Sequence, residues 1–296
     1  DTLSNNYVGW DQRDAHEFLT DLMDLLHEEE QRLRDDNNSA ETRLITPMKQ
    51  NVPPTVIHTQ SPTKSEHSAV VSAAPTRPTD EYFKLEVEVR LVCDTCGYTR
   101  NKIEMYRHLS LDIDTNDGDA TIEKGLQKFF SPEVLEISCE KCKEGKTCTQ
   151  SMRLVQSPGA LLIHLKRFIV QEQPALTPTN TSSTPPREVA YIKNRARVKY
   201  PQTLSMNLFE KHATDNDSNS SIPLMNKNKQ YKLRSVVHHI GNTANRGHYT
   251  TDALGGGGED KEEQWTRFDD GVTTPISKDE ALRGDDSQRN AYMVMY

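Results

Sequence analysis

Long apolar runs are missing from this 296-residue chain. None approaches the ~18 consecutive residues that cross a bilayer, and no secretory leader opens the sequence, so neither membrane insertion nor export is read from it. Apolar residues are scarce throughout: 34% are hydrophobic, with a mean hydropathy of -0.78. An ordinary globular chain is about 45–50% apolar, so part of this one stays outside any core. Positive charge is in deficit, with 36 Lys and Arg against 44 Asp and Glu and a net charge of -8. That argues against a broad nucleic-acid surface and favours a basic partner where charge steers association. Cysteine is too sparse for a disulfide framework. Four of the five fall in two Cys-x-x-Cys pairs, which read as metal ligands in a reducing compartment, cytoplasmic or nuclear. The chain also lacks an initiator methionine before Asp1 and reads as a fragment or processed chain.

What is present has the length for one large domain or two modest ones. From Asp14 to Leu33 the positions Ala15, Phe18, Leu19, Leu22, Leu25, Leu26 and Leu33 fall mostly on one face of a 3.6-period helix, and Asp11 and Asp14 stand where a helix start favours acidic caps. Residues 35–79 are Ser, Thr, Pro, Gln and Asn with few large apolar side chains, a composition that reads as a disordered insertion. Period-two alternation begins at Tyr82 and runs through Phe83, Leu85, Val87, Val89 and Leu91, then resumes at Ile103, Met105 and Leu109–Ile113. Thr121 to Phe130 reads as a short helix. Met152–Val155 and the strongly apolar Ala160–Phe168 read as strands, the second of them central. Disordered loops are expected at 171–190 and 210–228, with order between them from Val198 to Leu208. Leu233–His239 and His248–Ala253 read as strands joined by a Gly241–Gly247 loop, and Met293–Tyr296 as a closing strand. The sum is an α+β domain with soluble insertions.

Cys93-x-x-Cys96 and Cys139-x-x-Cys142 have the spacing of two zinc knuckles, with Gly97 just after the first pair. Four soft thiolates suit one tetrahedral zinc, structural because no coordination position stays open. The long stretch between the pairs makes the knuckles meet through an excursion that contains the Thr121–Phe130 helix. Cys148 is expected to be a bystander thiol.

Near the C-terminus, Gly247-His248-Tyr249 is followed by Asp269-Asp270-Gly271. A histidine with a carboxylate from the next hairpin arm is the base-and-orienter half of a nucleophilic triad. Asp269 or Asp270 is placed to accept the ring N–H, and Gly247 to let a substrate backbone approach. The same letters also describe a surface histidine in a glycine-rich loop followed by an acidic turn. His239 is a second candidate, although a histidine within a strand is more often structural. His16 and His164 lie inside apolar patterns and are expected to satisfy local hydrogen bonds.

Six blocks in order carry a resemblance: Gln12-Arg13-Asp14-Ala15-His16-Glu17-Phe18, the two knuckles, Leu162-Ile163-His164-Leu165-Lys166-Arg167-Phe168, Tyr200-Pro201-Gln202-Thr203-Leu204, Gly247-His248-Tyr249 and Phe268-Asp269-Asp270. Together they resemble the ubiquitin-specific proteases nearly from end to end. The resemblance implies a papain-like fold of thumb, palm and fingers, with fingers at 82–155 carrying the zinc knuckles and a palm at 160–296. It implies His248 as general base, Asp269 as orienting acid and Asp270 as neighbouring polar support. It implies Asp14, His239 and Tyr249 as contacts to the C-terminal tail of ubiquitin. It departs at one point: the family's nucleophilic cysteine box would precede Asp1, and none of the five cysteines replaces it, so the chain by itself is expected to be inactive.

The leading expectation is therefore a thiol-dependent ubiquitin hydrolase domain acting on ubiquitin and ubiquitinated proteins, monomeric, with no nucleic-acid or membrane partner. A catalytically inactive ubiquitin-binding module is the alternative, and a zinc-ribbon interaction domain unrelated to ubiquitin is a third reading.

Overall fold

The computed structural model describes residues 7, 13–44, 77–114, 120–173, 188–209, 229–244, 246–255 and 263–296, without the side chains of 37–44, 171–173, 188–190 and 208. The helices are α1 (Ala15–Leu44), α2 (Pro78–Phe83), α3 (Ile122–Phe129), α4 (Lys278–Arg283) and α5 (Asp285–Asn290). The first strands are β1 (Leu85–Cys93), β2 (Thr99–Tyr106), β3 (Leu109–Asp112), β4 (Ala120–Thr121), β5 (Glu133–Leu135) and β6 (Cys148–Gln156). Then come β7 (Leu162–Lys166), β8 (Phe168–Gln173), β9 (Glu188–Lys193), β10 (Val198–Lys199), β11 (Thr203–Ser205) and β12 (Gln230–Lys232). The C-terminal strands are β13 (Ser235–Thr243), β14 (Arg246–Leu254), β15 (Trp265–Asp269), β16 (Val272–Ile276) and β17 (Ala291–Met295).

Two sheets organise the chain. A four-stranded sheet in the order β2-β1-β6-β5 projects the cysteine knuckles at one end. A seven-stranded sheet in the order β16-β15-β14-β13-β17-β7-β3 carries the histidine and aspartate motifs. Side-chain alternation sorts the two faces of the larger sheet. Leu109, Leu111, Ile163, Leu165, Val236, Val294 and Trp265 point to one core, which also takes Ile122 and Leu126 of α3 and Ala281 and Leu282 of α4. On the other face Leu162, Tyr292 and Met293 receive Ala15, Leu19 and Met23 of α1.

Several expected boundaries move, each for a local reason. The first helix runs on to Leu44, ten residues into the stretch expected to be disordered, while 45–76 lie outside the described residues. Ala40, Glu41, Arg43 and Leu44 are good helix formers, and backbone hydrogen bonds do not need an apolar face to continue. Only Ala15, Leu19 and Met23 bury against the sheet; Phe18, Leu26 and Leu33 face outward. Tyr82 and Phe83 end a helix rather than open a strand, because Pro78 pre-sets the first turn and Asp80 and Glu81 suit its positive end. β8 and β9 pair through Gln173↔Glu188, so order extends into both ends of the expected 171–190 loop; 210–228 lie outside the described residues. The finger segment is not all finger: β3 joins the large sheet, parallel to β7, and α3 packs in its core. The helix at 122–129 starts where expected, with the Thr121 hydroxyl accepting from the Lys124 amide at 3.1 Å.

Two buried charges hold the large sheet. Arg167, fully buried after β7, donates to the carbonyls of Ala291, Asn194, Ala196 and Gln288, tying the start of β17 to α5 and to the turn before β10. Asp252 of β14, with 0% of its surface exposed, accepts both arms of Arg267 of β15 at 2.8 and 2.9 Å and His238 Nε2 of β13 at 3.1 Å. Burial alone would raise the Asp252 carboxyl; the bonds from His238 and Arg267 outweigh it and hold the carboxyl below its ordinary value. A depressed carboxyl stabilises the fold above its unfolded pKa, and that increment is lost as pH falls through the folded value. Asp252→Asn should therefore lower unfolding stability at neutral pH by about 2 kcal/mol, because it weakens the charge-assisted bonds that the buried carboxylate makes to His238 and to the half-buried Arg267. Urea denaturation measures this, and a change within about 0.5 kcal/mol would mean the bridge carries no weight.

Candidate active site and metal centre

β14 and β15 pair antiparallel through Thr251↔Phe268 and Asp252↔Arg267. Continuing that register sets Thr250 opposite Asp269, and His248 lies two residues further along β14 on the same face. A diagonal neighbour of this kind is within side-chain reach. His248 Nε2 and Asp269 Oδ1 accordingly meet at 2.5 Å. Asp270 sits at the tip of the β15–β16 turn with φ 48°, in the left-handed region that aspartate tolerates. A ligand atom from each of His248, Asp269 and Asp270 lies within 4.8 Å of the others. Of the two aspartates, Asp269 is thus the one bonded to the ring.

With Nε2 taken by the carboxylate, Nδ1 is the nitrogen left to receive a proton. The hydrogen bond to Asp269 raises the His248 pKa above its ordinary value, against a small opposing effect of burial, and Asp270 adds to the rise. The raised value means the pair stabilises the fold at low pH, an increment lost as pH rises through the folded value. It is a small increment, since 42% of the histidine and 49% of the aspartate side chain are exposed to screening water.

The expected tail contacts gather in one cluster under α1. Asp14 Oδ1 accepts the backbone amides of His16 and Glu17 at 2.7 and 3.1 Å, which caps α1, while its Oδ2 accepts the Tyr292 hydroxyl at 2.5 Å. His239 packs its ring 4.9 Å from that of Tyr249 and 5.2 Å from that of Phe168, and Tyr249 lies 5.9 Å from Tyr292. Asp14, His239 and Tyr249 are therefore brought together, around a tyrosine that sequence reasoning passed over. His239 is fully buried, however, and both its ring nitrogens and the Tyr249 hydroxyl have no hydrogen-bond partner. Burial lowers its pKa to about 4. The backbone of this position is held from behind, since Lys193 Nζ donates to the His239 carbonyl and, at 2.9 Å, to Asn290 Oδ1.

Gly247 has a different purpose from the one expected. A Cβ there would lie 2.3 Å from His239 Nε2 and 2.6 Å from the Ile240 carbonyl, so it is the histidine ring, packed against the backbone, that requires glycine. The expected Gly241–Gly247 loop is likewise a tighter hairpin, with the β13–β14 ladder resuming at Thr243↔Arg246.

His16 and His164 join a third histidine. His16 stacks on His164 at 3.9 Å and its Nε2 meets His108 Nε2 at 2.9 Å, while His164 Nδ1 pairs with Ser110 Oγ at 3.1 Å. Burial lowers the pKa of His108 to about 4 and of His164 to about 3, so these rings stay neutral and seat α1 on the sheet.

The second centre is at the end of the small sheet. Cys93 closes β1, Cys96 lies in the turn to β2, and Cys139 and Cys142 come from the segment between β5 and β6. The second pair therefore does not close a strand, unlike the first. Cys93 Sγ is 3.9 Å from Cys142 Sγ, and Cys96 Sγ is 3.8 Å from Cys139 Sγ. Thiolates bound to zinc at ~2.3 Å in a tetrahedron stand about 3.8 Å apart, so the four sulfurs fit that ion. Backbone amides point at the sulfurs, as at Gly145 N to Cys142 Sγ, 3.4 Å. The Cys96 amide helps lower the Cys93 thiol to about 6, and the Gly145 amide lowers Cys142. Gly145 has no room for a side chain, since a Cβ would lie 2.6 Å from Cys93 Sγ.

A histidine held by a carboxylate can take up a proton at its free ring nitrogen, which is what a general base requires. The comparisons specify the class. The family described as ubiquitin carboxyl-terminal hydrolase matches residues 1–296, and the chain belongs to it. Ubiquitin hydrolase B of Dictyostelium discoideum is 26% identical over 295 residues, 96% of this chain and 55% of that protein. Ubiquitin carboxyl-terminal hydrolase 12 of Salmo salar is 28% identical over 283 residues, 93% of this chain and 61% of that protein. The chain thus spans little more than half of these relatives' length. Among solved structures, the SAGA Ubp8/Sgf11/Sus1/Sgf73 DUB module bound to ubiquitin aldehyde superposes with a TM-score of 0.62 at 21% identity, over 100% of this chain and 51% of that one. The fold is that of this catalytic domain, in agreement with the α+β, papain-like expectation.

An NMR titration should find the His248 ring losing its proton above 6.5, the ordinary value. Asp269→Asn should lower that midpoint and Asp270→Asn should lower it less; equal shifts would mean that Asp269 has no special hold on the ring.

Proposed function

We propose that this chain is the larger part of a cysteine-type deubiquitinase domain that hydrolyses the bond after the C-terminal glycine of ubiquitin. The observation that carries the reading is the His248–Asp269 bond, which leaves Nδ1 as the one ring nitrogen open to a proton. All five cysteines belong to the small sheet and its knuckles, so the nucleophile is a sulfur encoded outside residues 1–296. In this reading Nδ1 of His248 takes the thiol proton, the thiolate attacks the glycine carbonyl, and the imidazolium protonates the leaving amine. Water then hydrolyses the thioester with His248 as base again. Asp269 holds the ring and stabilises its charge; Asp270 adds negative potential.

The ubiquitin tail lies, on this proposal, over Asp14, His239 and Tyr249. The unpartnered Tyr249 hydroxyl and His239 nitrogens support that placement, since buried polar atoms without partners are rare in a finished fold. Side chains there would have to part slightly to expose His239. Zinc is proposed for the four cysteines, where it would pin the two knuckles. Free thiols throughout suit a reducing compartment, cytoplasmic or nuclear. The matched Ubp8 structures are multi-subunit modules, so the expectation of a monomer gains nothing from them.

In the full-length protein, His248→Ala should cut kcat/KM on a ubiquitin C-terminal fluorogenic amide by about 10³-fold or more. Asp14→Asn, which keeps the helix cap, should act chiefly on KM. Wild-type protein that binds ubiquitin without turning it over would favour the inactive binding module instead. Metal analysis should find about one zinc per chain, and none would remove the metal reading.

A further inference from the structure

Cys148 does more than accompany the four knuckle thiols. It opens β6 directly across from Cys93, the last residue of β1 and one of the four presumptive ligands. The bond from the Asp94 amide to the Thr147 carbonyl, 3.2 Å, flanks this pair and identifies it as a non-hydrogen-bonded pair of the antiparallel ladder. In such pairs the Cα atoms stand about 4.5 Å apart and the side chains share a face at close range. A disulfide accepts Cα separations of about 4.4–6.8 Å, so these two cysteines are close enough to join with no backbone movement. Both are 3% exposed and lie in one cluster with Cys139, while Cys96 keeps the outer side of the centre open to solvent. The Cys148 thiol lies 3.6 Å from the Ile137 carbonyl, to which it donates.

We propose that Cys93 and Cys148 form a redox couple that discharges the metal: a peroxide oxidises Cys93, Cys148 resolves it as a disulfide, and the centre falls to three thiolates. The consequence for metal rests on the zinc reading above; the disulfide does not. In the first step the Cys93 thiolate attacks hydrogen peroxide, an S–O bond forms as the O–O bond breaks, and hydroxide leaves. In the second the Cys148 sulfur attacks the sulfenic sulfur, an S–S bond forms as the S–O bond breaks, and the thiol proton leaves with hydroxide as water. One thiolate and one thiol lose two electrons in all, and one peroxide becomes one hydroxide and one water. With zinc bound, the oxidation of Cys93 would leave Cys96, Cys139 and Cys142 to hold it, and three thiolates would hold it more weakly than four. Thiol–disulfide exchange with an added dithiol should restore the four-sulfur centre.

The test treats the purified full-length protein with hydrogen peroxide and reads zinc release with a chromogenic chelator and disulfides by peptide mapping. The expected result is a Cys93–Cys148 cross-link that appears with the released zinc and disappears with dithiothreitol. Cys148→Ser and Cys148→Ala should each release zinc roughly tenfold more slowly at the same peroxide concentration, as a resolving-thiol role requires. A cross-link confined to Cys93, Cys96, Cys139 and Cys142, with Cys148 still open to alkylation after unfolding, overturns the proposal in the wild-type protein whatever the variants do. Protein isolated without zinc sinks the metal reading alone, and the mapped cross-link then decides the couple.

Discussion

The register between β14 and β15 is the constraint on which the site depends. Successive side chains on a strand alternate faces, so a slip of one residue would carry Asp269 to the opposite side of the sheet from His248. The salt bridge of Asp252 with Arg267 pins that register at the adjoining pair, and His238 extends the same carboxylate's hold to β13. A buried bridge is seldom a net gain over apolar packing, but it penalises every alternative pairing that leaves a charge alone in the interior. Here the penalised alternatives are those that would separate the base from its orienting acid.

The other face of the sheet solves a different problem. α1 brings Asp14 to Tyr292, and the stacked rings of His16 and His164 seat the helix on β7. The carboxylate proposed to meet the substrate tail is therefore placed by the helix it caps and by a tyrosine of β17. Arg167 then fixes where β17 begins, through its bonds to four backbone carbonyls. The positions proposed for catalysis and for tail contact thus come from opposite faces of one sheet.

Much of this was legible in the letters. The helix opening after Asp14, the short helix after Thr121, the knuckle spacing and the alternating strands are local patterns, and the structure keeps them, although the buried face of α1 is narrower than its period implied. The His248–Asp269 assignment was legible as a pair of motifs, but the choice between Asp269 and Asp270 needed the diagonal register, which arises only when strands meet. Tyr292 and the structural part of Arg167 left no local signal, because their partners lie 27 to 278 residues away. Gly247 was read as room for a substrate, when the space it leaves is filled by His239 from the neighbouring strand. The reach of α1 to Leu44 was missed because low apolar content was taken as lack of order, although helix propensity does not depend on burial.

The central claim is that this scaffold aims a base at a sulfur supplied from elsewhere in the polypeptide. Labelling the full-length protein with ubiquitin bearing a C-terminal vinyl sulfone, followed by peptide mapping, locates that sulfur. The account predicts one covalent adduct, on a cysteine outside residues 1–296, and its loss when the His248 imidazole is removed. An adduct on Cys93, Cys96, Cys139, Cys142 or Cys148, or labelling indifferent to His248, would contradict it.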